Sequence, residues 1–330
     1  MRSAKKLGER KIIELILECL DQMPNMQLPF GDDASAVDLG TNKLAVINMD
    51  MLVRKTDVPK TMTLWQAARK TVIMNISDLA AKGVQPQVIL ASIGVPPNIT
   101  KTDIQQIGNG LNAGAREYNT YIVGGDTNEA SDLVISCMAL GVCHKNHLIK
   151  RSGAEPGDYL ATTGSFGKTA AGLKILMNGL LAPKNSEELV ESVLMPKARV
   201  KEGAALAQSK AATASIDSSD GLAWSLHELT QASNVGFCLN KVSIAPEAER
   251  FAEFHGFDPL ELALYGGEEY ELLVTVKPKL WQTAQKAVET VGGNLTKLGW
   301  VTEKKQILLE TDEKTVVIEA RGWQHFKSAS

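Results

Sequence analysis

Apolar positions recur at helical spacing over residues 7–22, where Leu7, Ile12, Leu15, Ile16 and Leu20 gather near one side and Pro24 closes the run. The stretch Leu44 to Met49 predicts a strand that delivers Asp50 at its end, and Val53 to Pro59 reads as a loop. Thr63 then caps a helix running to Lys82, with Trp65, Ala68, Val72, Ile76 and Leu79 as its apolar stripe and Gly83 as its stop. Thr71, Asn75, Asp78 and Lys82 take the opposite face, so Asp78 by itself reads as a solvated carboxylate. Gln87 to Val95 predicts a strand, Thr100 to Tyr118 a helix, and Leu133 to Cys143 a further strand. Between the last two, Tyr121-Ile122-Val123 runs into Gly124-Gly125-Asp126-Thr127, strand formers meeting paired glycines that let the backbone turn. This β-α-β-α-β-β order suits an α+β layer, a mixed sheet with helices on one face.

A polar, turn-rich stretch from Arg151 to Asp158 divides the chain into residues 1–148 and 149–330, and the length of 330 residues fits two α/β domains. The pattern restarts with a strand from Tyr159 to Thr163. Gly164-Ser165-Phe166-Gly167-Lys168-Thr169 imitates a phosphate loop, but that motif needs glycine five positions before Gly167, where Thr162 stands. It reads as a strand-to-helix turn. A helix from Arg199 to Gln208 leads to the short strand Ala214 to Ile216, which opens onto Asp217-Ser218-Ser219-Asp220-Gly221-Leu222 and a helix through Leu229. Leu264 to Tyr270 turns into the strand Glu271 to Val276.

Composition narrows the classes. A hydrophobic content of 44% with 22% charged residues is that of a globular protein, and a net charge of −3 leaves no basic footprint for nucleic acid. No apolar run is long enough to span a bilayer, and the Lys-rich start leads into an amphipathic helix, not a signal peptide. Cys19, Cys137, Cys143 and Cys238 form no C-x-x-C pair, which points to reduced thiols in a cytoplasmic protein and away from zinc or disulfides. His144 and His147 lack the glutamate of a zinc-helix motif.

The chemistry lies in the carboxylates. Asp32, Asp33, Asp50, Asp126, Asp217 and Asp220 all stand at expected turns or strand ends, with no cationic residue adjacent in sequence. Gathered together they would repel one another and raise each pKa, unless divalent cations neutralise them. Oxygen ligands without His or Cys select magnesium or manganese, and several such ions in one cleft usually accompany a polyphosphate such as ATP. Arg151 is the natural forked donor to a phosphate.

Seven segments extend the pattern: Gly31-Asp32-Asp33-Ala34, Asp50-Met51-Leu52-Val53, Asn75-Ile76-Ser77-Asp78-Leu79-Ala80-Ala81, Gly124-Gly125-Asp126-Thr127, Arg151-Ser152-Gly153-Ala154, Ile216-Asp217-Ser218-Ser219-Asp220-Gly221-Leu222 and Gly266-Gly267-Glu268-Glu269-Tyr270-Glu271-Leu272. In this order they resemble the thiamine-monophosphate kinase family, within the aminoimidazole ribonucleotide synthetase-like superfamily. The resemblance implies a two-domain homodimer whose N-terminal sheets pair into a barrel across the two-fold. It implies ATP in the cleft with several Mg²⁺ ions, held by Asp33, Asp50, Asp78, Asp126, Asp217 and Asp220. Asp33, Gly125, Asp126, Arg151 and Ser219 would contact the nucleotide, and Glu268 and Trp323 the thiamine moiety.

The implied reaction moves the γ-phosphoryl of ATP onto thiamine monophosphate, and it assigns no residue as a general base. The chain departs from many bacterial members after Val53. Asp57 takes roughly the place of a histidine near the substrate, and Met49 stands where threonine is common. Two other readings share the scaffold: a synthetase that activates an amide or acyl oxygen or makes selenophosphate, and a nucleotide-binding regulator without turnover. Cys19 lies inside a helix pattern and the chain ends without a cysteine, which weakens the selenophosphate and hydrogenase-maturation variants.

Overall fold

The computed structural model describes residues 3–184, 186–311 and 314–326. In chain order its N-terminal part holds α1 (Ala4–Leu7), α2 (Glu9–Leu17), β1 (Ser35–Asp38), β2 (Lys43–Val53), α3 (Arg54–Asp57), α4 (Leu64–Ala81), β3 (Pro86–Val95), α5 (Lys101–Glu117), β4 (Ile122–Glu129) and β5 (Val134–His144). The strands form one sheet ordered β1-β2-β5-β3-β4, antiparallel except for the parallel pair β3–β4. Helices α4 and α5 cover one face. Val72, Ile76 and Leu79 of α4 and Ile107, Leu111 and Ala115 of α5 share one core with Val46, Ile89, Ile135 and Cys137 of the sheet.

Then follow β6 (Tyr159–Thr162), α6 (Lys168–Asn178), α7 (Glu187–Leu194), α8 (Val200–Ser209), β7 (Ala212–Asp217), α9 (Leu222–Ser233), β8 (Gly236–Leu239), α10 (Pro246–His255), α11 (Pro259–Tyr265), β9 (Leu272–Val276), α12 (Trp281–Thr290), β10 (Thr296–Thr302), β11 (Ile307–Glu310) and β12 (Thr315–Val317). Their strands make a second sheet ordered β12-β11-β8-β10-β6-β9-β7. The two parts meet at α4, whose Leu79 and Ala80 share a core with Leu206 and Ala207 of α8 and Leu272 of β9. Glycine makes this approach feasible: a Cβ on Gly203 would stand 2.1 Å from the carbonyl oxygen of Ala80. No helix among the described residues is long and apolar enough to cross a membrane.

Several local expectations are corrected. The first helical run breaks at Gly8 and stops at Leu17, well before Pro24. Strand β2 continues through Asp50 to Val53, because its full length pairs with β5, so Asp50 lies inside a strand. Residues 54–57 form a short helix in place of a loop. Gly124-Gly125-Asp126 is not a turn: it lies within β4, and the glycine is needed because a Cβ on Gly125 would sit 1.7 Å from the Ala91 carbonyl of β3. The polar stripe of α4 is not solvated either. Thr71, Asn75 and Lys82 are buried and Asp78 is half-buried, since the second part of the chain closes over that face. Thr63 does cap α4, through a capping box with Gln66.

Candidate active site

Three carboxylates converge where the two parts meet. Asp33 comes from the bend before β1, Asp78 from the last turn of α4 and Asp217 from the end of β7, with carboxylate oxygens all within 4.8 Å of one another. Their orientation is set by neutral donors. Ser77 Oγ donates to Asp217 Oδ2 at 2.6 Å and Ser219 Oγ to Oδ1 at 3.2 Å. Asn48 and Asp50, two apart on β2, project from the same face of the strand towards α4. Asn48 donates to Asp78 Oδ2 at 2.8 Å, and the Asp50 N–H donates to Asn75 Oδ1 at 3.1 Å.

The electrostatics divide the cluster in two. Lys82, fully buried, contacts Asp32 Oδ1 at 2.6 Å and Asp33 Oδ2 at 2.7 Å, while Arg151 Nε donates to Asp33 Oδ1 at 2.9 Å. Burial alone would raise the Asp33 carboxyl, but the two cations overcome it and hold the group below the usual range. The expected rise in each clustered carboxylate therefore fails at Asp33, because cations distant along the chain stand beside it.

Asp50, Asp78 and Asp217 have no ion pair with any described residue. Burial raises Asp50 to about 6, outweighing a hydrogen bond with Asp78. Burial and repulsion from Asp33 raise Asp217 to about 7. Burial and repulsion from Asp50, Asp217 and Asp33 push Asp78 well above the carboxylate range. An oxygen-only donor set carrying this excess of negative charge fits a hard divalent cation such as Mg²⁺.

Other expected site residues fall elsewhere. Asp126 stands on the exposed edge strand β4, aligned with Ser92, Ser136 and Met51, whereas Asp50 is aligned with Cys137, Ala91 and Gly125. Those two rows point to opposite faces of the sheet, and three strand spacings separate Asp50 from Asp126, about 14 Å. One copy of the chain does not bring them together. Asp220 lies beside Glu9 and Arg10 of α2, and burial followed by Glu9 raises it to about 6. Arg151 is already engaged, through Asp33 and Glu228, at the rim of a cleft of about 260 Å³ lined by Phe30, Gly31 and Asp32.

A second set of groups gathers around the loop 266–270. Glu268 sits at φ 65° and Tyr270 at φ 52°, a left-handed backbone that residues with a Cβ adopt only when the surroundings impose it. Here the Glu268 N–H donates to the Ser219 carbonyl at 2.6 Å, and the Trp323 N–H to the Asp220 carbonyl at 3.1 Å. Asp57 Oδ2 accepts the Val53 N–H at 2.7 Å. His325 Nδ1 comes within 4.0 Å of Asp57 Oδ1, and its ring meets Trp323 edge-on. Trp323 is 43% exposed. Asp57, Glu268 and Trp323 thus share one neighbourhood.

Sequence reasoning missed two members of this set, His325 and Lys70, whose ammonium lies 2.5 Å from Glu268 Oε1. Lys70 lies seven residues before Ser77 and so on the same helical face, a spacing that offered a signal. The position of His325 rests on the return of the chain end and offered none. Next door, Glu269 Oε1 accepts the N–H groups of Gly167 at 2.6 Å and Thr169 at 3.2 Å at the start of α6, and burial raises it to about 7.

Comparison with known proteins agrees with this architecture. Residues 31–143 match the AIR synthase related protein, N-terminal domain, and residues 155–310 the corresponding C-terminal domain. The chain is 34% identical to thiamine-monophosphate kinase of Nitrosopumilus maritimus, over 98% of this chain and 99% of that protein. It is 37% identical to the kinase of Pyrococcus abyssi, over 97% and 96%. A solved structure described as AaThiL complexed with AMPPCP and TMP superposes with a TM-score of 0.85 at 28% identity, covering 98% of this chain and 99% of that one. The chain belongs to the thiamine-monophosphate kinase family of AIR synthase related proteins.

Proposed function

We propose that this protein transfers the γ-phosphoryl group of ATP directly to thiamine monophosphate, giving thiamine diphosphate and ADP. The observation that carries the reading is the convergence of Asp33, Asp78 and Asp217 from both parts of the chain on one point, in a family of this activity. The related structure that holds AMPPCP and TMP together supports the same pair of substrates. Asp33, Asp50, Asp78, Asp217 and Asp220 are assigned to several Mg²⁺ ions, Asp33, Arg151 and Ser219 to the nucleotide, and Asp57, Glu268 and Trp323 to the thiamine moiety. Bound there, Mg²⁺ would neutralise the charge between the two phosphates and hold them in line.

The residues of the chain do the positioning. Asn48, Ser77 and Ser219 aim the carboxylates, and Lys82 anchors the Asp32–Asp33 bend without entering the chemistry. The acceptor is a phosphate oxygen whose second pKa is about 6, so it is anionic at neutral pH and needs no general base. An aromatic face such as that of Trp323 suits the cationic thiazolium.

We place the boundary between domains 1–148 and 149–330 and propose a homodimer joined through the first sheet. Its face opposite α4 and α5 is uncovered and apolar: Val37, Met49, Met51 and Leu90 are all exposed there. A patch of this kind marks an interaction surface. Asp126 lies on the same face, so the metal and nucleotide roles assigned to it, and to the backbone of Gly125 next to it, are exerted across the interface, towards the partner's cleft. The test is incubation with ATP, Mg²⁺ and thiamine monophosphate, with both products quantified. Equal amounts of ADP and thiamine diphosphate are expected; ATP binding without thiamine diphosphate would overturn the reading.

A further inference from the structure

Lys70 is a buried lysine, 1% exposed, on the face of α4 that the C-terminal part covers. Its ammonium reaches two groups of the proposed acceptor pocket: Glu268 Oε1 at 2.5 Å and the Asp57 carbonyl at 3.4 Å. Glu268 is held in a left-handed backbone at φ 65° and tied by its N–H to Ser219. Its second oxygen, Oε2, is buried and has no hydrogen-bonding partner among the described residues. A buried carboxylate oxygen is costly to leave bare, and a protein that holds it so firmly holds it for a donor.

We propose that Lys70 is a positioning residue of the acceptor pocket: it anchors Glu268 by one oxygen and leaves the other to accept an N–H of the acceptor, the exocyclic amine of its aminopyrimidine ring. The inference rests on thiamine monophosphate being the acceptor. The ammonium of Lys70 cancels the charge of Glu268, so the pair recognises a hydrogen-bond donor and not a cation. The thiazolium charge is then left to the Trp323 ring. The strained backbone at Glu268 and the buried Lys70 serve one end, a fixed direction for Oε2.

The test is steady-state kinetics of wild type and Lys70→Met with two acceptors, thiamine monophosphate and its analogue bearing an oxo group in place of the amine. With wild type, KM for the analogue should exceed that for thiamine monophosphate at least about tenfold, since the analogue leaves Oε2 unpaired. Lys70→Met should raise KM for thiamine monophosphate about tenfold or more, leave KM for ATP within about twofold, and largely abolish the discrimination between acceptors. A rise in both KM values alike would mark a merely structural lysine and overturn the proposal, as would unchanged discrimination. Should Lys70→Met not fold, equal wild-type KM values for the two acceptors would overturn it. No thiamine diphosphate from wild type overturns the kinase reading and this role together; product with unaltered Lys70→Met kinetics overturns the role alone.

Discussion

Ser77 on α4 donates to Asp217 at the end of β7 over 2.6 Å, joining residues 140 apart in the chain. The bond turns the Asp217 carboxylate towards Asp33 and Asp78, so it assembles the proposed metal site as well as the joint between the two parts. Asp217→Asn is expected to lower turnover by about 100-fold or more while far-UV circular dichroism stays native. The same variant should lose most of the rise in melting temperature that Mg²⁺ gives the wild type. Retention of both turnover and the Mg²⁺-dependent rise would remove Asp217 from the site.

Lys82 is the fully buried counter-ion of Asp32 and Asp33, and its ammonium also donates to the Ser215 carbonyl at 3.0 Å. Replacing it by methionine strands buried carboxylates, which should destabilise the fold by about 3–5 kcal/mol in urea unfolding. A loss below about 1 kcal/mol would show that the bend carrying Asp33 is held by other contacts.

Glu269 gives a pH dependence with a definite sign. Its folded value of about 7 lies above that of an unfolded glutamate, so the folded state binds the extra proton. The stability it contributes is full below the unfolded value and is lost as pH rises through about 7. Glu269→Gln stays neutral throughout, and its amide oxygen still accepts from Gly167. The variant should match wild type near pH 5 and melt higher near pH 8, by differential scanning fluorimetry at both values. An equal difference at the two pH values would contradict this assignment.

The separation of Asp126 from Asp50 makes the dimer testable through activity. If Asp126 serves the partner's cleft, Asp126→Asn and Asp217→Asn homodimers are both inactive, yet a mixed dimer contains one intact site. Random reassociation of the two variants should therefore restore about a quarter of wild-type turnover per site. No recovery after verified subunit exchange would confine Asp126 to its own protomer or exclude it from catalysis.

Much of this was legible in the sequence, and the failures have physical causes. The capped helix α4, the α+β layer and Asp217 at the end of its strand follow from periodicity and turn chemistry, whereas Asp50 and Asp126 lie inside strands that run on past them. Asp78 was misread from spacing alone, because amphipathic patterning records which face meets the sheet and not whether a second layer covers the other face. The Gly124-Gly125 pair was misread for a related reason. A glycine that frees the backbone to turn and one that admits a neighbouring strand look the same along the chain, and only the β3–β4 contact separates them. The ion pairs of Lys82 and Arg151 with Asp33 join segments 49 or more residues apart, beyond any local pattern.

The most direct test of the central claim follows the phosphorus atom. With γ-³²P-labelled ATP, Mg²⁺ and thiamine monophosphate, direct transfer predicts that label leaves ATP only as the terminal phosphate of thiamine diphosphate, in step with ADP. Label released as inorganic phosphate, with no labelled thiamine diphosphate, would contradict the account and point to a synthetase that spends ATP on another acceptor.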